Sequence, residues 1–195
     1  AGDPDGLFAL AHQLLSLKSV TKLITVSQLD AKFVIPGVAP ATSVARGIAI
    51  TRELIRRLKP AYSPPIAGGQ ENAADRGPSD AAKAIVAEAM RDDPLPLWFC
   101  GGGPLTNLAA ALRLEPKIAS RIKLIWIGGE PYPEGGWEYN LSADPDAART
   151  VIEGTMIPTA IFLLVLFVIT LTVAAYSTYA ERKVAAFLQD RIGPN

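Results

Sequence analysis

The sequence predicts an α/β fold, an incomplete and mostly parallel sheet with flanking helices, followed by one C-terminal transmembrane helix. Three observations carry this expectation. Between Asp3 and Glu153, β-rich stretches alternate with stretches whose apolar residues recur at helical spacing, the order of a parallel sheet covered by helices. Glycine runs at Gly101 to Gly103 and at Gly128-Gly129 follow two apolar strands, and the carboxyl ends of strands are where such sheets carry functional loops. From Gly154 to Ala180 no residue is charged.

Taken in order, Leu7, Leu10, Ala11, Leu14 and Leu15 predict a helix behind the acidic loop Asp3-Pro4-Asp5-Gly6, and Val20 to Val26 predicts a strand. Ser43 to Leu58 predicts a second amphipathic helix ended by Pro60. Pro65 to Ala67 is a short strand, and Ser79 to Met90 a third helix with Pro78 just ahead of it. Leu95 to Cys100 reads as a buried strand, Leu105 to Leu112 as a helix and Ile122 to Ile127 as another strand. A last helix runs from Asp144-Pro145 to about Glu153. Ile157 to Tyr176 then gives 20 uncharged residues, the length a helix needs to cross about 30 Å of hydrocarbon; a buried core helix is the alternative. Tyr176 and Tyr179 suit an interfacial belt, and Arg182-Lys183 put positive charge just beyond it, which predicts a cytoplasmic C-terminal flank. The expected divisions are therefore a domain over 1–153, a membrane span over 154–180 and a juxtamembrane segment over 181–195.

Composition narrows function chiefly by exclusion. The chain has 195 residues, 49% of them apolar, with 19 basic and 19 acidic side chains, so charge gives no argument for a nucleic-acid partner. A single Cys100 excludes an internal disulfide and multi-cysteine metal sites, and a single His12 excludes multi-histidine sites. Cys100 is expected to be a small buried hydrophobe, Trp126 a core residue and His12 solvated. No basic stretch with a short apolar core opens the sequence, so no secretory signal is expected in it, and Ala1 is read as lying downstream of the true start.

Four motifs resemble the nucleoside hydrolase family, in that family's order. They are Asp3-Pro4-Asp5-Gly6 before an apolar helix, Gly103-Pro104-Leu105-Thr106-Asn107-Leu108-Ala109, Trp126-Ile127-Gly128-Gly129 at a strand end, and Glu138-Tyr139-Asn140 followed by Asp144-Pro145-Asp146-Ala147-Ala148. The resemblance implies hydrolysis of the N-glycosidic bond of ribonucleosides through an oxocarbenium-like sugar, with an aspartate cluster holding calcium and activating water. By that resemblance Asp5, Glu138 and Asn140 bind the ribose, and the backbone carbonyl of Thr106 meets the metal. Gly6 stands where the family has a metal-ligand aspartate, and Asp3 is the substitute ligand that the loop offers. The general base is expected to precede Ala1. Ser27-Gln28 replaces the family's Gly-Asn after the strand. Asp3 and Asp5 equally suit the capping of the helix that follows.

From Ala174 onward the chain is similar to a second family. Glu181-Arg182-Lys183 and Gln189-Asp190-Arg191-Ile192-Gly193-Pro194-Asn195 resemble the first helix and following loop of the H-type membrane subunit of NADH-quinone oxidoreductase. That resemblance implies a bacterial inner-membrane location, lipid and other complex I subunits as partners, and quinone as cofactor. It places Glu181, Arg182, Gln189 and Arg191 near the quinone entrance, while an interfacial amphipathic helix is the plainer reading. The two resemblances meet near Glu153 to Met156, so the chain is expected to be a chimera of two incomplete pieces. The leading expectation is a nucleoside N-ribohydrolase-like domain, weak or inactive as it stands. The alternatives are a fragment of the oxidoreductase membrane subunit and a non-catalytic, membrane-anchored ribose-binding module.

Overall fold

The computed structural model describes residues 4–30, 42–71, 75, 77–131 and 133–188, and within the last helix the side chains of 145–155, 164–165, 167–179 and 182–183. The described chain divides into two compact units, 1–154 and 155–195.

The first unit is built from two strand–helix–strand crossovers. Helix α1 (Pro4–Leu15) precedes β1 (Ile24–Val26), α2 (Ser43–Leu58) and β2 (Ile66–Gly68); α3 (Asp80–Ala89) leads to β3 (Leu97–Gly101), α4 (Thr106–Leu114), a 3-10 turn (Pro116–Ser120) and β4 (Ile122–Trp126). The pairs β1–β2 and β3–β4 are both parallel, with Ile24 opposite Ile66 and Leu97 opposite Ile122. Among the described residues they form two separate two-stranded ladders. The expected parallel α/β arrangement is therefore present, as two ladders rather than one continuous sheet. β1 begins at Ile24, four residues later than the apolar run from Val20 suggests, because periodicity reports burial and not where ladder hydrogen bonds begin.

Helix α3 lies against α4. Ala81, Ala82 and Ala89 on one, and Ala109, Ala110 and Ala111 on the other, are buried, and such small side chains let helix backbones approach closely. Leu105, Leu108, Ile118 and Val151 are the largest fully buried side chains of the core. Ser79 caps α3 by accepting the Ala82 N–H at 3.1 Å, with Pro78 just before it. By contrast, the outer face of β3–β4 is bare: Trp98 is 51% exposed and Ile125 53%, with Lys123 Nζ 5.1 Å from the centre of the Trp98 ring. Cys100 lies exposed on that strand. This corrects the expectation of a buried cysteine: Leu95 to Cys100 is uniformly apolar, but alternation along β3 turns Trp98 and Cys100 away from the core.

After a short α5 (Tyr139–Ala143), helix α6 runs from Pro145 to Leu188. The helix expected to end near Glu153 thus continues. Its first turns hold Ala147, Ala148 and Val151 in the core of the first unit and carry Asp146, Arg149 and Glu153. The expected single-pass membrane segment is overturned: among the described residues no helix is long and apolar enough to cross a membrane. The physical reason is that a span needs about 20 consecutive apolar residues, and the described residues of α6 do not supply such a stretch. The membrane location and the cytoplasmic flank fall with it, and the lipid partner is left without support. Within the second unit Tyr176 and Tyr179 lie with ring centroids 6.4 Å apart. The hydroxyls of Thr172 and Thr178 donate to the carbonyls of Val168 and Ala174 at 2.8 and 3.1 Å.

Candidate functional site

The carboxyl end of β1 is the centre of a buried polar knot. The carbonyl of Val26 accepts both the Gly69 N–H at 2.8 Å and the Asn107 Nδ2 amide at 3.2 Å. A Cβ on Gly69 would collide with the Asn107 amide, so the close approach requires glycine. Next along the chain, Gln28 Nε2 donates to Thr106 Oγ1 at 3.2 Å, and the Thr106 hydroxyl donates to Asp144 Oδ2 at 2.7 Å. The direction is fixed by the carboxylate, which accepts only, so the Thr106 oxygen is left to accept from Gln28. Gln28, Thr106, Asn107 and Asp144 are all buried, and Gln28 Oε1 is a buried acceptor with no hydrogen-bond partner. Asp144 also caps α6, its Oδ1 accepting the Ala147 N–H at 3.1 Å, with Pro145 opening the helix behind it.

Around this knot stands the segment bearing the two expected sugar-binding residues. Glu138 caps α5: its Oε1 accepts the Asn140 N–H at 2.8 Å and its Oε2 accepts those of Leu141 at 2.8 Å and Gly129 at 2.9 Å. Partial burial pushes the Glu138 carboxyl up, but these three backbone donors outweigh it and hold the carboxyl below its ordinary range. Asn140 Nδ2 donates to the Ile127 carbonyl at 2.9 Å, and the Tyr139 hydroxyl accepts the Asp30 N–H at 3.3 Å. Glu138 and Asn140 are thereby tied to the turn after β4, and Tyr139 to the loop after β1. Trp126, partly buried against the core, donates its Nε1–H to the Gly103 carbonyl at 2.9 Å. It therefore braces one strand end against the other.

The other expected site residues are distributed differently. Asp5 is exposed in the first turn of α1, and Gly6 opens onto space, where an added Cβ meets nothing within 4 Å. Asp3, Gln189 and Arg191 lie outside the described residues, as does the side chain of Glu181; Arg182 is exposed on α6. The quinone role of Glu181, Arg182, Gln189 and Arg191 is carried by the resemblance alone. His12 is exposed. The donors present do not fit the metal that the nucleoside hydrolase resemblance implies: among the described residues no group of three or more His, Cys, Asp or Glu side chains could hold an ion. The side chain of Thr106, whose carbonyl was the expected calcium contact, serves the knot. Sequence reasoning missed Gln28, Asn107, Tyr139 and Asp144 as working side chains. Asn107, Tyr139 and Asp144 stood beside Thr106 and Asn140 in the family motifs and Gln28 in the Ser27-Gln28 turn, but nothing local signalled the pairings between them.

A sequence model described as inosine-uridine preferring nucleoside hydrolase matches residues 64–192. The chain belongs to that nucleoside hydrolase family. Its relatives include the inosine-uridine preferring nucleoside hydrolase of Crithidia fasciculata, 37% identical over 75 residues, 36% of this chain and 24% of that protein. The fold is shared with the crystal structure of an inosine-uridine preferring nucleoside hydrolase from Bacillus anthracis, at a TM-score of 0.54 and 22% identity, covering 77% of this chain and 58% of that one. The chain spans about a quarter of the curated hydrolase it matches and just over half of the solved one. It is also 58% identical over 40 residues to the H-type subunit of the NADH-quinone oxidoreductase of Flavobacterium johnsoniae, 20% of this chain and 11% of that protein. The nucleoside hydrolase match runs through residue 192, past the boundary expected near 153–156.

Proposed function

We propose that the first unit is a nucleoside N-ribohydrolase-like domain that binds the ribose of a nucleoside at the carboxyl ends of β1 and β4, with weak or absent turnover. The observation that carries this reading is the Glu138–Asn140 segment, held against those strand ends by three hydrogen bonds, to Gly129, Ile127 and Asp30, in a chain of this family. A carboxylate offers about four lone-pair sites. Three on Glu138 take backbone N–H groups, which leaves one on Oε1 for a ribose hydroxyl, while the Oδ1 of Asn140 accepts a second. A full negative charge on Glu138 would also favour the positive charge that develops on the sugar as the N-glycosidic bond breaks. Since the described donors do not fit a metal, no step is routed through one; low turnover is expected because Gly6 stands where the family has a metal-ligand aspartate. Asp5, Asp3 and the Thr106 carbonyl belong to the wider site only by resemblance. The names of the relatives point to inosine and uridine as substrates to try.

Titration calorimetry of the full chain with ribose should give heat that Asn140→Ala abolishes, and no heat with the unmodified chain overturns ribose binding. Inosine and uridine should release little or no base; vigorous release overturns the low-turnover reading.

A second reading concerns residues 155–195. Two observations favour a segment of different ancestry: the identity to the oxidoreductase membrane subunit and the contact division at Gly154 and Thr155. On this reading the chain joins segments of two genes. Independent DNA carrying one uninterrupted frame across codons 150–160 would sink it.

A further inference from the structure

We infer that Asp144 is a positioning residue, which through Thr106 and Gln28 holds the Glu138–Asn140 pair in register with the carboxyl end of β1. The inference rests on the ribose-binding reading above for its functional consequence, but not for its geometry. Helix α5 has five residues and none of them is buried; Leu141 packs against the core, but only partly buried. So short a helix is not stable by itself, and apolar packing does not fix it here. Its place is set by polar tethers at both ends. At its N-terminal end the tethers are the candidate ligand-binding groups themselves, Glu138 to Gly129 and Asn140 to Ile127. At the other end the tether is Asp144, 3% exposed, whose two carboxylate oxygens take the Thr106 hydroxyl and the Ala147 N–H. Thr106 opens α4, one of the most buried helices of the unit, and Gln28 follows β1. The chain Gln28–Thr106–Asp144 therefore joins three elements to the rear of α5. Without it, the α5 segment would rest on the one Tyr139–Asp30 bond and on Glu138 and Asn140, which would then have to hold their own loop as well as their ligand.

The chain of bonds also predicts how its variants behave. In Asp144→Asn the side-chain oxygen still caps Ala147, and the new amide donates to Thr106. Thr106 then turns its hydroxyl toward Gln28, whose unpartnered Oε1 takes it. The network reverses and survives. In Asp144→Ala and in Thr106→Val it does not.

The test is hydrogen exchange of the full chain, read at the amides of Gly129, Asn140 and Leu141, together with ribose titration. Asp144→Ala should speed exchange at those three amides by about tenfold or more and weaken ribose binding by about tenfold. Amides of β3 and α4 should keep their protection, and Asp144→Asn should restore both readouts. Unchanged exchange at the three amides, or an equal loss across β3 and α4, overturns the inference. Where Asp144→Ala does not fold, Thr106→Val carries the same expectations and decides. If the unmodified chain binds no ribose, the functional reading fails while the exchange data still decide the positioning role.

Discussion

At Glu138 one side chain does two jobs that pull on its charge in opposite senses. Burial disfavours the carboxylate, and three backbone N–H groups more than compensate, so the folded carboxyl titrates below its unfolded value. A group depressed in this way contributes stability that is complete above the unfolded pKa and is lost as pH falls through the folded pKa. Glu138→Gln should therefore flatten the acid side of the stability–pH curve below the ordinary carboxylate range, measured by urea melts at a series of pH values. Gly69 makes a steric prediction instead. Gly69→Ala drives the Asn107 amide off the Val26 carbonyl, leaving buried polar groups unmatched, and should cost about 2–3 kcal/mol by denaturant unfolding. The motif containing Thr106 and Asn107 was legible in the sequence. That both side chains serve the fold was not, because their partners Gln28, Val26 and Asp144 lie 38 to 81 residues away, and no local pattern encodes such pairings.

Elements show the same division between local and distant causes. The N-terminus of α3 was readable, since Pro78 and Ser79 carry it within a few residues. That of α2 was not. Its N-cap, Thr42, makes no side-chain capping bond; instead Glu71, from the loop after β2, accepts the N–H groups of Val44 and Ala45 at 2.8 and 2.9 Å. A carboxylate there also suits the positive end of the helix dipole. Glu71→Ala should cost about 1–2 kcal/mol, seen as a lower urea midpoint with an unchanged slope, whereas a substitution at exposed Glu130 should be nearly neutral. For α6, an uncharged composition marked a stretch of sequence but not a helix boundary. Composition reports polarity, while the start of α6 is set by the Asp144 cap and Pro145.

On the scale of the whole molecule, parallel strands joined by helices were legible because alternation of period and glycine turns survive without knowledge of partners. The split into two ladders was not, since strand neighbours are chosen by tertiary packing. The chain carries 19 basic and 19 acidic side chains and exposes large apolar residues in both units, Leu17 and Trp98 in the first and Phe167 and Tyr176 in the second. Zero net charge removes the mutual repulsion that keeps such surfaces apart. Solubility should therefore pass through a minimum near pH 7 and rise on either side, as precipitation scans will register.

The bare outer face of β3–β4 has a practical consequence. Cys100 is the one cysteine in the sequence and it stands exposed there, next but one to Trp98 and opposite Ile125. A maleimide dye will therefore attach at a single known point, with an indole close enough to quench it. Anything that comes to cover this face will dim or brighten that label and slow its attachment, which turns an uncovered strand into a built-in optical gauge.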